Sequence, residues 1–524
     1  MIQAMFLDDK KHSMDGFCKM VFLLFFIALF QSAALHAQNG GNSRIDRLFG
    51  GNIGVNMKWS GSGFSGLGAR PEAMGGSITT LFSDAQSVSS NPAGLGFARG
   101  FSMVFDWSPG MTINPDGISK AIGLGSLEDR INTSLNETVR NNSSGGVVQP
   151  GAVQNASVHN NLDMNGGLKG AALMYGNPIF ALAFSFHQPL QLDLQLNMSG
   201  VEFLAAALDN SGKETQRIFG IVNGNLNMAL VMRSSTIAAG TRLHPKLAVG
   251  LAYDNFNSSI NIDGTFLPEG VIASASGDTR SFNDPARVQY DSLYTTIGGN
   301  LEGDDFRLRG GAGYHPTHNI SIDATFSMPV DIQLSGSFAM IYNNIAALDL
   351  GADDNEEVFD VDKLVEDNLT KTEKQAFGLQ NLNLKTPGNI AVGFSARWDN
   401  YLASLVYTKY FSALGYGLNY EKRDSLNVVT DAGSITQGVN FKSAIRLGIG
   451  VKPMMLGLGF ISGKTFSQKI IAGESKPEVD DKGNLFLPML SLGGSIKLTS
   501  HFQFDYVASL YNSSFFRFST TYRL

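Results

Sequence analysis

The sequence predicts an all-β protein, a transmembrane antiparallel β-barrel of about 14 strands, from three observations. Charged residues make up only 16% of the 524-residue chain, whereas soluble proteins carry about 25%. Apolar residues alternate with small or polar residues in many segments after residue 98, and this two-residue period is that of a β-strand. Short turns and long polar stretches follow these segments in regular succession, as in barrels of the bacterial outer membrane.

The composition excludes two other classes of protein. The chain has 39 basic and 46 acidic residues, a net charge of -7. This argues against a nucleic-acid partner, because binding to phosphates requires a basic surface. Hydrophobic residues make up 43% of the chain, which argues against disorder. The high counts of Gly (59) and Phe (36) remain to be explained by the fold.

The N-terminal segment has the pattern of a secretory signal peptide. Residues 20–30 form an apolar run that lysines precede and small residues follow. We predict cleavage after Ala37, with Ala34 as the alternative site. The run is shorter than the roughly 20 residues that a transmembrane helix needs. No later stretch reaches the length of a membrane-spanning helix, so a secreted or outer-membrane protein is predicted.

Two details near the start bear on the mature chain. Asp8 and Asp9 are unusual in a signal peptide, so translation beginning at Met14 or Met20 is an alternative. Cys18 is the single cysteine and would be removed with the signal peptide. The mature chain is therefore predicted to have no disulfide, cysteine metal site or thiol nucleophile.

The strand count follows from paired alternating segments. In 247–254, for example, Leu247, Val249, Leu251 and Tyr253 alternate with small or acidic residues. Six predicted hairpins cover residues 168–188, 236–256, 306–328, 388–411, 441–463 and 488–511. A strand at 99–107 and a last strand at 515–524 bring the total to fourteen, an even number as barrels require. Residues 331–342 also alternate, and would either add strands or extend the preceding one.

Long polar stretches separate the hairpins and are predicted to be outward loops. They cover residues 189–235, 257–305, 329–387, 412–440 and 464–487. A soluble β-sandwich or β-helix is the alternative fold. Its dry core would not accept the charges that fall on the second face of the strands. These charges are Asp254, Asp323, Arg397, Arg446, Lys497 and Asp505.

Residues 38–98 precede the barrel and are rich in Gly and Ser without alternation. They include a compact motif from Gly66 to Phe97, in which Pro71 and Glu72 suit the first turn of a short helix. Asn91-Pro92 predicts a turn. The segment is predicted to fold into the barrel as a plug. The chain thus divides into a signal peptide (1–37), a hatch (38–98) and a barrel (99–524).

This motif resembles the N-terminal hatch of FadL/TodX-type outer-membrane proteins. It is also similar to their Bacteroidetes relatives, including the PorV-type component of the type IX secretion machinery. The resemblance rests on Gly68-Ala69-Arg70, Ala73-Met74-Gly75-Gly76, Asp84-Ala85 and Asn91-Pro92-Ala93-Gly94-Leu95. It implies fourteen strands and a lumen that the hatch blocks. The residues expected in the hatch or its gating are Gly68, Arg70, Met74, Gly75, Gly76, Asp84, Asn91 and Pro92.

FadL-type proteins take up hydrophobic molecules, so the resemblance implies a site that collects an apolar ligand. Residues 201–208 are predicted to form a short apolar helix in an outward loop. The residues expected to contact the ligand are Phe203, Leu204, Leu208, Ile218 and Phe219. Packing of this helix on its own barrel is the alternative interpretation.

Other motifs do not carry chemistry. Gly463-Lys464-Thr465 lacks the earlier Gly of a phosphate-binding loop, where Leu458 stands. His315 and His318 flank a Pro-Thr pair and are predicted to form a polar periplasmic turn, with no metal. The acidic stretch 349–367 is predicted to be a solvated loop, with calcium binding as the alternative. No catalytic signature is recognisable, so we predict neither an enzyme nor a cofactor.

Three functional hypotheses follow. The leading one is passive uptake of a hydrophobic small molecule, of the long-chain fatty acid or aromatic type, across the outer membrane. The second is a PorV-like barrel that binds a protein of a secretion or surface-assembly complex. The third is a largely structural role in the outer membrane. In each case the barrel is expected to contact outer-membrane lipid.

Overall fold

The structure is a computed structural model that describes most of the barrel and the segment before it. The described residues are 42–49, 52–61, 66–109, 111–113, 157–164, 166–208, 214–274, 279–282, 294–345, 372–423, 426–471, 478–480, 484–510 and 516–524. The predicted signal peptide and the acidic stretch 349–367 lie outside them. Within these ranges no helix has both the length and the apolar character needed to cross a bilayer.

The described residues form three short helices and 23 strands. The helices are α1 (Ala69–Ala73), α2 (Ser87–Ser90) and α3 (Ala93–Phe97). The strands are β1 (Asn42–Phe49), β2 (Asn52–Gly61), β3 (Gly100–Ser108), β4 (Met111–Ile113), β5 (Ser157–Met164), β6 (Gly167–Gly176), β7 (Phe180–Leu208), β8 (Glu214–His244), β9 (Leu247–Ser274), β10 (Thr279–Phe282), β11 (Tyr294–Thr317), β12 (Ile320–Ser327), β13 (Val330–Ile345), β14 (Thr372–Thr386), β15 (Asn389–Trp398), β16 (Tyr401–Tyr410), β17 (Leu414–Arg423), β18 (Val429–Val451), β19 (Met454–Ile471), β20 (Glu478–Asp480), β21 (Asn484–Lys497), β22 (Phe502–Leu510) and β23 (Phe516–Arg523).

The strands close into one antiparallel barrel of 14 wall strands, which confirms the predicted fold class. Eleven wall strands are single strands: β3, β6, β7, β8, β9, β11, β18, β19, β21, β22 and β23. Each of the other three is interrupted once and combines β12 with β13, β15 with β14, or β16 with β17. Pairing of β23 with β3, from Phe518 opposite Trp107 to Arg523 opposite Ser102, closes the ring. Residues 331–342 fall in β13 and so extend the preceding strand.

Six short connections lie together at one end of the barrel, which we call the turn end. They are residues 177–179, 245–246, 318–319, 399–400, 452–453 and 498–501. Their positions confirm the turns predicted from Gly, Pro, Asn and His residues between alternating segments, except that His315 itself is still part of β11. In outer-membrane barrels the short turns are periplasmic, so the opposite, outer end would face the cell exterior.

The wall near the turn end exposes a band of large apolar side chains. Leu182, Phe184 and Phe186 of β7 are 54%, 48% and 45% exposed. Aromatic side chains lie at both margins of the band; Tyr175, Trp398 and Tyr401, close to the turns, are among the most exposed. Such a band with aromatic margins is typical of a lipid-facing barrel surface. We call this part of the wall the membrane half, and the part beyond it the outer half.

In the outer half of β7 the two faces exchange roles. Leu194, Leu196 and Met198 have even numbers, like Leu182 and Phe184, yet they are buried inside the barrel. The ladder with β8 passes from His187 opposite Ser234 to Leu190 opposite Met232, so β7 carries one extra residue at Gln188-Pro189. One extra residue turns every following side chain to the other face of a sheet.

Three other wall strands reverse their faces at a similar level. The irregularities lie at residues 328–329 between β12 and β13, at 387–388 between β14 and β15, and at 441–443 in β18. The alternation of buried and exposed residues changes phase across each of them. The outer half therefore buries apolar residues inside and presents polar residues outside, the reverse of the membrane half.

Strand β8 shows the same reversal of polarity without an irregularity, since its even-numbered residues from Leu226 to Gly240 all face inward. In the membrane half Thr236 and Ala238 point inward while Ile237 is 62% exposed. In the outer half Leu226 and Met228 point inward, and the neighbouring asparagines are exposed. The reversal of polarity is therefore a property of the whole outer half and not only of the irregular strands.

The predicted outward loops are wrong in their secondary structure. Much of residues 189–235, 257–305, 329–387, 412–440 and 464–487 continues the wall as strands, from β7 to β21. The predicted helix at 201–208 is likewise the end of β7, paired with β8 up to Leu208 opposite Glu214. The sequence suggested loops because polar residues dominate there. Those residues form the outward, solvent-exposed face of the strands.

Candidate functional site

Residues 66–98, which we call the lumenal segment, occupy the interior of the membrane half. Helix α1 packs on β21 and β22, whereas α3 packs on β8 and β9 on another side of the barrel. Small wall residues make room for it: a Cβ atom on Gly250 would lie 2.3 Å from the carbonyl carbon of Pro92. On Gly457 it would lie 2.3 Å from the Gly75 nitrogen. The wall glycines thus explain part of the high Gly count.

The first ionic anchor of the lumenal segment is Asp84, which is fully buried. Its Oδ2 accepts hydrogen bonds from Arg70 of the same segment and, at 2.5 Å, from Arg523 of the last wall strand. Burial by itself would raise the pKa of the Asp84 carboxyl, but these two guanidinium groups hold that pKa below its usual value. Asp84 therefore stays ionised and ties the segment to the strand that closes the barrel.

The second anchor is Arg517, also on β23. Its Nε donates to both carboxylate oxygens of Asp106 on β3 at 2.8 Å, and its Nη1 donates to Glu72 of α1 at 3.0 Å. Its Nη2 donates to the Gly66 carbonyl at 2.5 Å. Glu72 in turn accepts a 2.5 Å hydrogen bond from Ser509. Every charge in this buried group has an opposite partner.

The third anchor joins the lumenal segment to the opposite wall. Arg309 of β11 forms a two-pronged ion pair with Asp254 of β9, at 2.7 and 2.8 Å. Its remaining N–H groups donate to the backbone carbonyls of Ser89 and Val88 at 2.8 Å. Removing one partner from a buried ion pair costs about 3–5 kcal/mol. The ion pairs of Asp84 and Arg517 therefore hold the segment firmly, and Arg309 adds two hydrogen bonds to its backbone.

His315 belongs to the contacts of the lumenal segment, and the prediction of a polar periplasmic turn is wrong for it. Its ring stacks on Phe97 with centroids 3.9 Å apart, and its Nε2 lies 2.8 Å from the Thr80 hydroxyl. That hydroxyl also donates to Asp323 at 2.5 Å. His318 does lie in the turn. No group of metal-ligating side chains occurs among the residues that the structure describes.

The structure places all eight predicted hatch residues in the lumenal segment. Gly68, Gly75 and Gly76 have positive φ angles of 98°, 69° and 81°, which side chains other than glycine rarely adopt. Met74 is buried against the wall, with an exposure of 1%. The Asn91 amide donates to the Ile78 carbonyl at 3.1 Å and so fixes the turn before Pro92.

A cavity of about 200 Å³ lies between the lumenal segment and the wall. Gly76 and Ser90 of the segment, and Tyr410 and Arg446 of the wall, contribute to its lining. Arg446 donates to the Tyr410 hydroxyl at 3.0 Å, and its buried Nε has no hydrogen-bond partner among the described residues. Phe256 also lines the cavity and is at the same time a member of the cluster described next.

A large apolar cluster, which we call the outer core, fills the interior of the outer half. Its side chains come from seven wall strands and are less than a tenth exposed. The members are Leu194, Leu196, Met198, Val201, Leu226, Met228, Leu230, Met232, Phe256, Ile260, Phe266, Ile297, Leu301, Val330, Ile332, Leu334, Phe338, Met340, Leu382, Leu418 and Tyr420. The barrel interior thus changes from polar anchors around the lumenal segment to an apolar packing beyond it.

The predicted ligand-collecting residues lie at the far end of the outer half. Phe203, Leu204 and Leu208 are on β7 and Ile218 and Phe219 on β8, where Leu204 pairs with Phe219. They are therefore on adjacent strands, and their role in collecting a ligand stays a prediction.

Sequence reasoning missed the outer core, although one signal was present. Apolar residues recur at 190, 192, 194, 196 and 198, directly after the alternating segment 181–187. The polar residues between them led to the prediction of a loop from residue 189. An irregularity within one long strand produces the same pattern.

Comparisons with known proteins give similar folds at low identity. No family model matches the chain, and no curated protein matches it. The toluene transporter TbuX of Ralstonia pickettii is 14% identical over 88% of this chain and 99% of its own, with a TM-score of 0.42. A Pseudomonas aeruginosa FadL homologue is 10% identical over 88% and 98%, also with a TM-score of 0.42. The toluene transporter TodX of Pseudomonas putida is 12% identical over 87% and 97%, with a TM-score of 0.40.

These solved structures come from the FadL/TodX group that the sequence resembles. The fold of the chain rests on its own strand pairing.

Proposed function

We propose that the chain is an outer-membrane channel for passive uptake of hydrophobic small molecules, of the long-chain fatty acid or aromatic type. The observation that carries this proposal is the outer core, an apolar interior on the outer side of a lipid-facing barrel. Burial of apolar surface is worth about 25 cal/mol per Å². An apolar molecule that enters this interior gains free energy in proportion to the apolar surface that it buries. Its contacts with the core side chains replace contacts that those side chains make with one another.

In this proposal the lumenal segment is the hatch that keeps the membrane half closed to water. Two of its three anchors tie it to β23, and the third ties it to β11 on the opposite side of the barrel. The cavity lined by Phe256 and Arg446 lies where the outer core meets the hatch. It is therefore the place where a ligand from the outer core would first contact the hatch.

The test is purification from membranes in detergent, followed by mass spectrometry of the molecules that co-purify. We expect fatty acids or other apolar compounds bound to the wild-type chain. Phe256→Ser should lower their amount several-fold, because it places a polar group between the cavity and the outer core. Phe184→Ser, on the lipid-facing side of β7, is the matched control and should leave the amount unchanged.

Two results would count against uptake. One is a purified, folded barrel that carries no apolar compound. The other is equal binding by wild type and Phe256→Ser, which would place the ligand outside the outer core. Cell fractionation with heat-shift electrophoresis tests the location. A soluble chain without a heat shift would contradict an outer-membrane barrel.

A PorV-like role as a protein-binding barrel is the second candidate, and the height of the wall favours it. Strand β8 has 31 residues, whereas a strand crosses a bilayer with about 9–11 residues. Much of the wall therefore stands beyond the lipid with a polar outer surface that a protein is able to contact. The same purification separates the candidates, since a stoichiometric protein without an apolar compound would favour this role.

A further inference from the structure

Strand β2, which precedes the lumenal segment in the chain, occupies an unexpected place in the barrel wall. It pairs antiparallel with the outer half of β7, from Asn52 opposite Ser199 to Gly61 opposite Leu190. On its other side it pairs in parallel with β5, from Asn52 opposite Ser157 to Trp59 opposite Met164. Neither partner segment was predicted as wall, since residues 190–199 fall in the predicted loop 189–235 and residues 157–164 lie outside the predicted hairpins.

The position of β2 matters because β6 stops pairing with β7 at the same level of the barrel. Strand β6 pairs with β7 as far as Gly170 opposite His187. Beyond the irregularity at Gln188-Pro189, the neighbour of β7 on that side is β2. In the described part of the wall, β2 is therefore the strand that continues the sheet where β6 leaves it.

Without β2, the outer half of β7 would have an open edge next to the outer core. Neighbouring strands lie about 4.8 Å apart, so removing one strand leaves a gap of about 9.6 Å between β5 and β7. Leu194 and Leu196, which are buried, belong to the edge of that gap. An open edge of this kind also exposes unpaired backbone groups to water.

The strand pairing shows that β2 is not needed to close the 14-stranded ring of the membrane half. The 14 wall strands of the membrane half close through β23 and β3. Five residues after Gly61 the chain is inside the barrel, where the Gly66 carbonyl accepts a hydrogen bond from Arg517. The ladder of β2 is thus held in place at one end by the anchored lumenal segment.

We propose that β2 is a fixed wall strand that seals the seam between β5 and β7. A hydrophobic ligand then reaches the outer core from the outer end and not through this part of the wall. The statement about the route rests on the proposed function. The statement that β2 seals the seam does not.

The first experiment measures the seal without any transport. In a Cys18→Ser background, Leu196→Cys is labelled with a membrane-impermeant maleimide in the full chain and after deletion of residues 42–61. Labelling should be faster by on the order of tenfold or more after the deletion, because protection follows the free energy of local opening. Ile332→Cys, in β13 and fully buried, is the control and should stay protected.

Two outcomes of this experiment would overturn the proposal. Protection of Leu196→Cys after the deletion would show that β2 seals nothing. Equal exposure of Leu196→Cys and Ile332→Cys would show that β2 holds the whole outer half together and does not close one seam.

The second experiment uses the full-length chain and asks whether β2 has to move. A Cβ on Gly54 would lie 3.8 Å from the Cβ of Asn197, which is about the mean separation in a disulfide. Oxidised Gly54→Cys/Asn197→Cys should therefore lock β2 to β7. Asn197→Cys/Asn225→Cys, which locks β7 to its other neighbour, is the matched control.

Entry of the apolar dye N-phenylnaphthylamine into cells that carry the two locked variants is then compared. We expect the same rate before and after reduction in both. A loss that is specific to the Gly54–Asn197 lock and reversed by reductant would overturn the fixed strand. If the wild-type chain takes up no apolar probe, the proposed function fails, whereas the maleimide result stands by itself.

Discussion

The two halves of the barrel use the same strands for opposite purposes. In the membrane half, β7 turns Leu182, Phe184 and Phe186 outward, and Ala181, Ala183 and Ser185 face the lumenal segment. In the outer half, the same strand buries Leu194 and its neighbours inside. A single extra residue at Gln188-Pro189 separates the two arrangements.

The difference reflects the solvent outside each half. Lipid accepts apolar side chains, so the membrane half can fill its interior with small residues and charged anchors. Water outside the outer half favours polar residues there, and apolar residues bury themselves by turning inward. The barrel thus joins a membrane protein to a wall with the polarity of a soluble protein.

Deleting residues 66–97, which is all of the lumenal segment except Ala98, should have the largest effect on this comparison. The membrane half would lose its contents and keep a lining of small and polar side chains. We expect a stable conductance in planar bilayers that the wild-type chain does not show. Heat-shift electrophoresis has to show that the variant still folds. A folded variant that stays closed would show that these residues do not plug the barrel.

Breaking a buried anchor should have the next largest effect. Arg517→Met removes the cation that the buried Asp106 and Glu72 carboxylates share, which costs about 3–5 kcal/mol of folding free energy. The measurement is urea unfolding of the barrel in lipid vesicles. Lys385→Ala is the control, since the Lys385–Asp331 pair is 3.6 Å long with both side chains exposed. An exposed pair contributes about 0–1 kcal/mol, and equal losses would contradict the anchoring role of Arg517.

A lysine on the outward face of β7, placed once in the membrane half and once in the outer half, tests where the lipid-facing surface of the wall ends. Phe184→Lys, between Leu182 and Phe186 on the lipid-facing side of β7, should destabilise the folded barrel in vesicles by about 2–4 kcal/mol, because it puts a charge against the middle of the apolar band. Asn197→Lys, on the outward face of the outer half, should change stability by less than about 0.5 kcal/mol. If both lysines cost the same, the boundary between the halves is misplaced.

The smallest effect is expected from a wall glycine. In Gly250→Ala the new methyl group would meet Pro92, and such overpacking costs about 1–3 kcal/mol. In Gly298→Ala, in the outer half, no atom lies within 4 Å of the new Cβ. Unfolding of the two variants in urea should therefore differ. An unchanged Gly250→Ala would indicate that α3 does not press against β9.

Much of the membrane half was predictable from the sequence, for a physical reason. Its strands alternate between apolar residues, which face the lipid, and small or polar residues, which face inward. Turn residues such as Pro245 and Asp399 mark the hairpins. The fourteen strands and the barrel class are accordingly confirmed. The charges predicted to face the lumen include Asp254, Asp323 and Asp505, which are buried against the lumenal segment.

The outer half was not predictable in the same way. A polar outward face and an apolar inward face alternate there too, but the many polar residues suggested loops. Alternation alone does not say which face is inside, and only pairing in space shows that the faces exchange. The place of β2 was likewise hidden, because its partner strands are distant in the chain or parallel to it.

The most direct test of the account is uptake by intact Gram-negative cells. Cells expressing the wild-type chain should accumulate a radiolabelled long-chain fatty acid, or a radiolabelled aromatic hydrocarbon, faster than cells with an empty vector. Phe256→Ser should remove most of that gain, and Phe184→Ser should keep it. Accumulation of both compounds at the empty-vector rate, with a folded barrel in the outer membrane, would contradict the account.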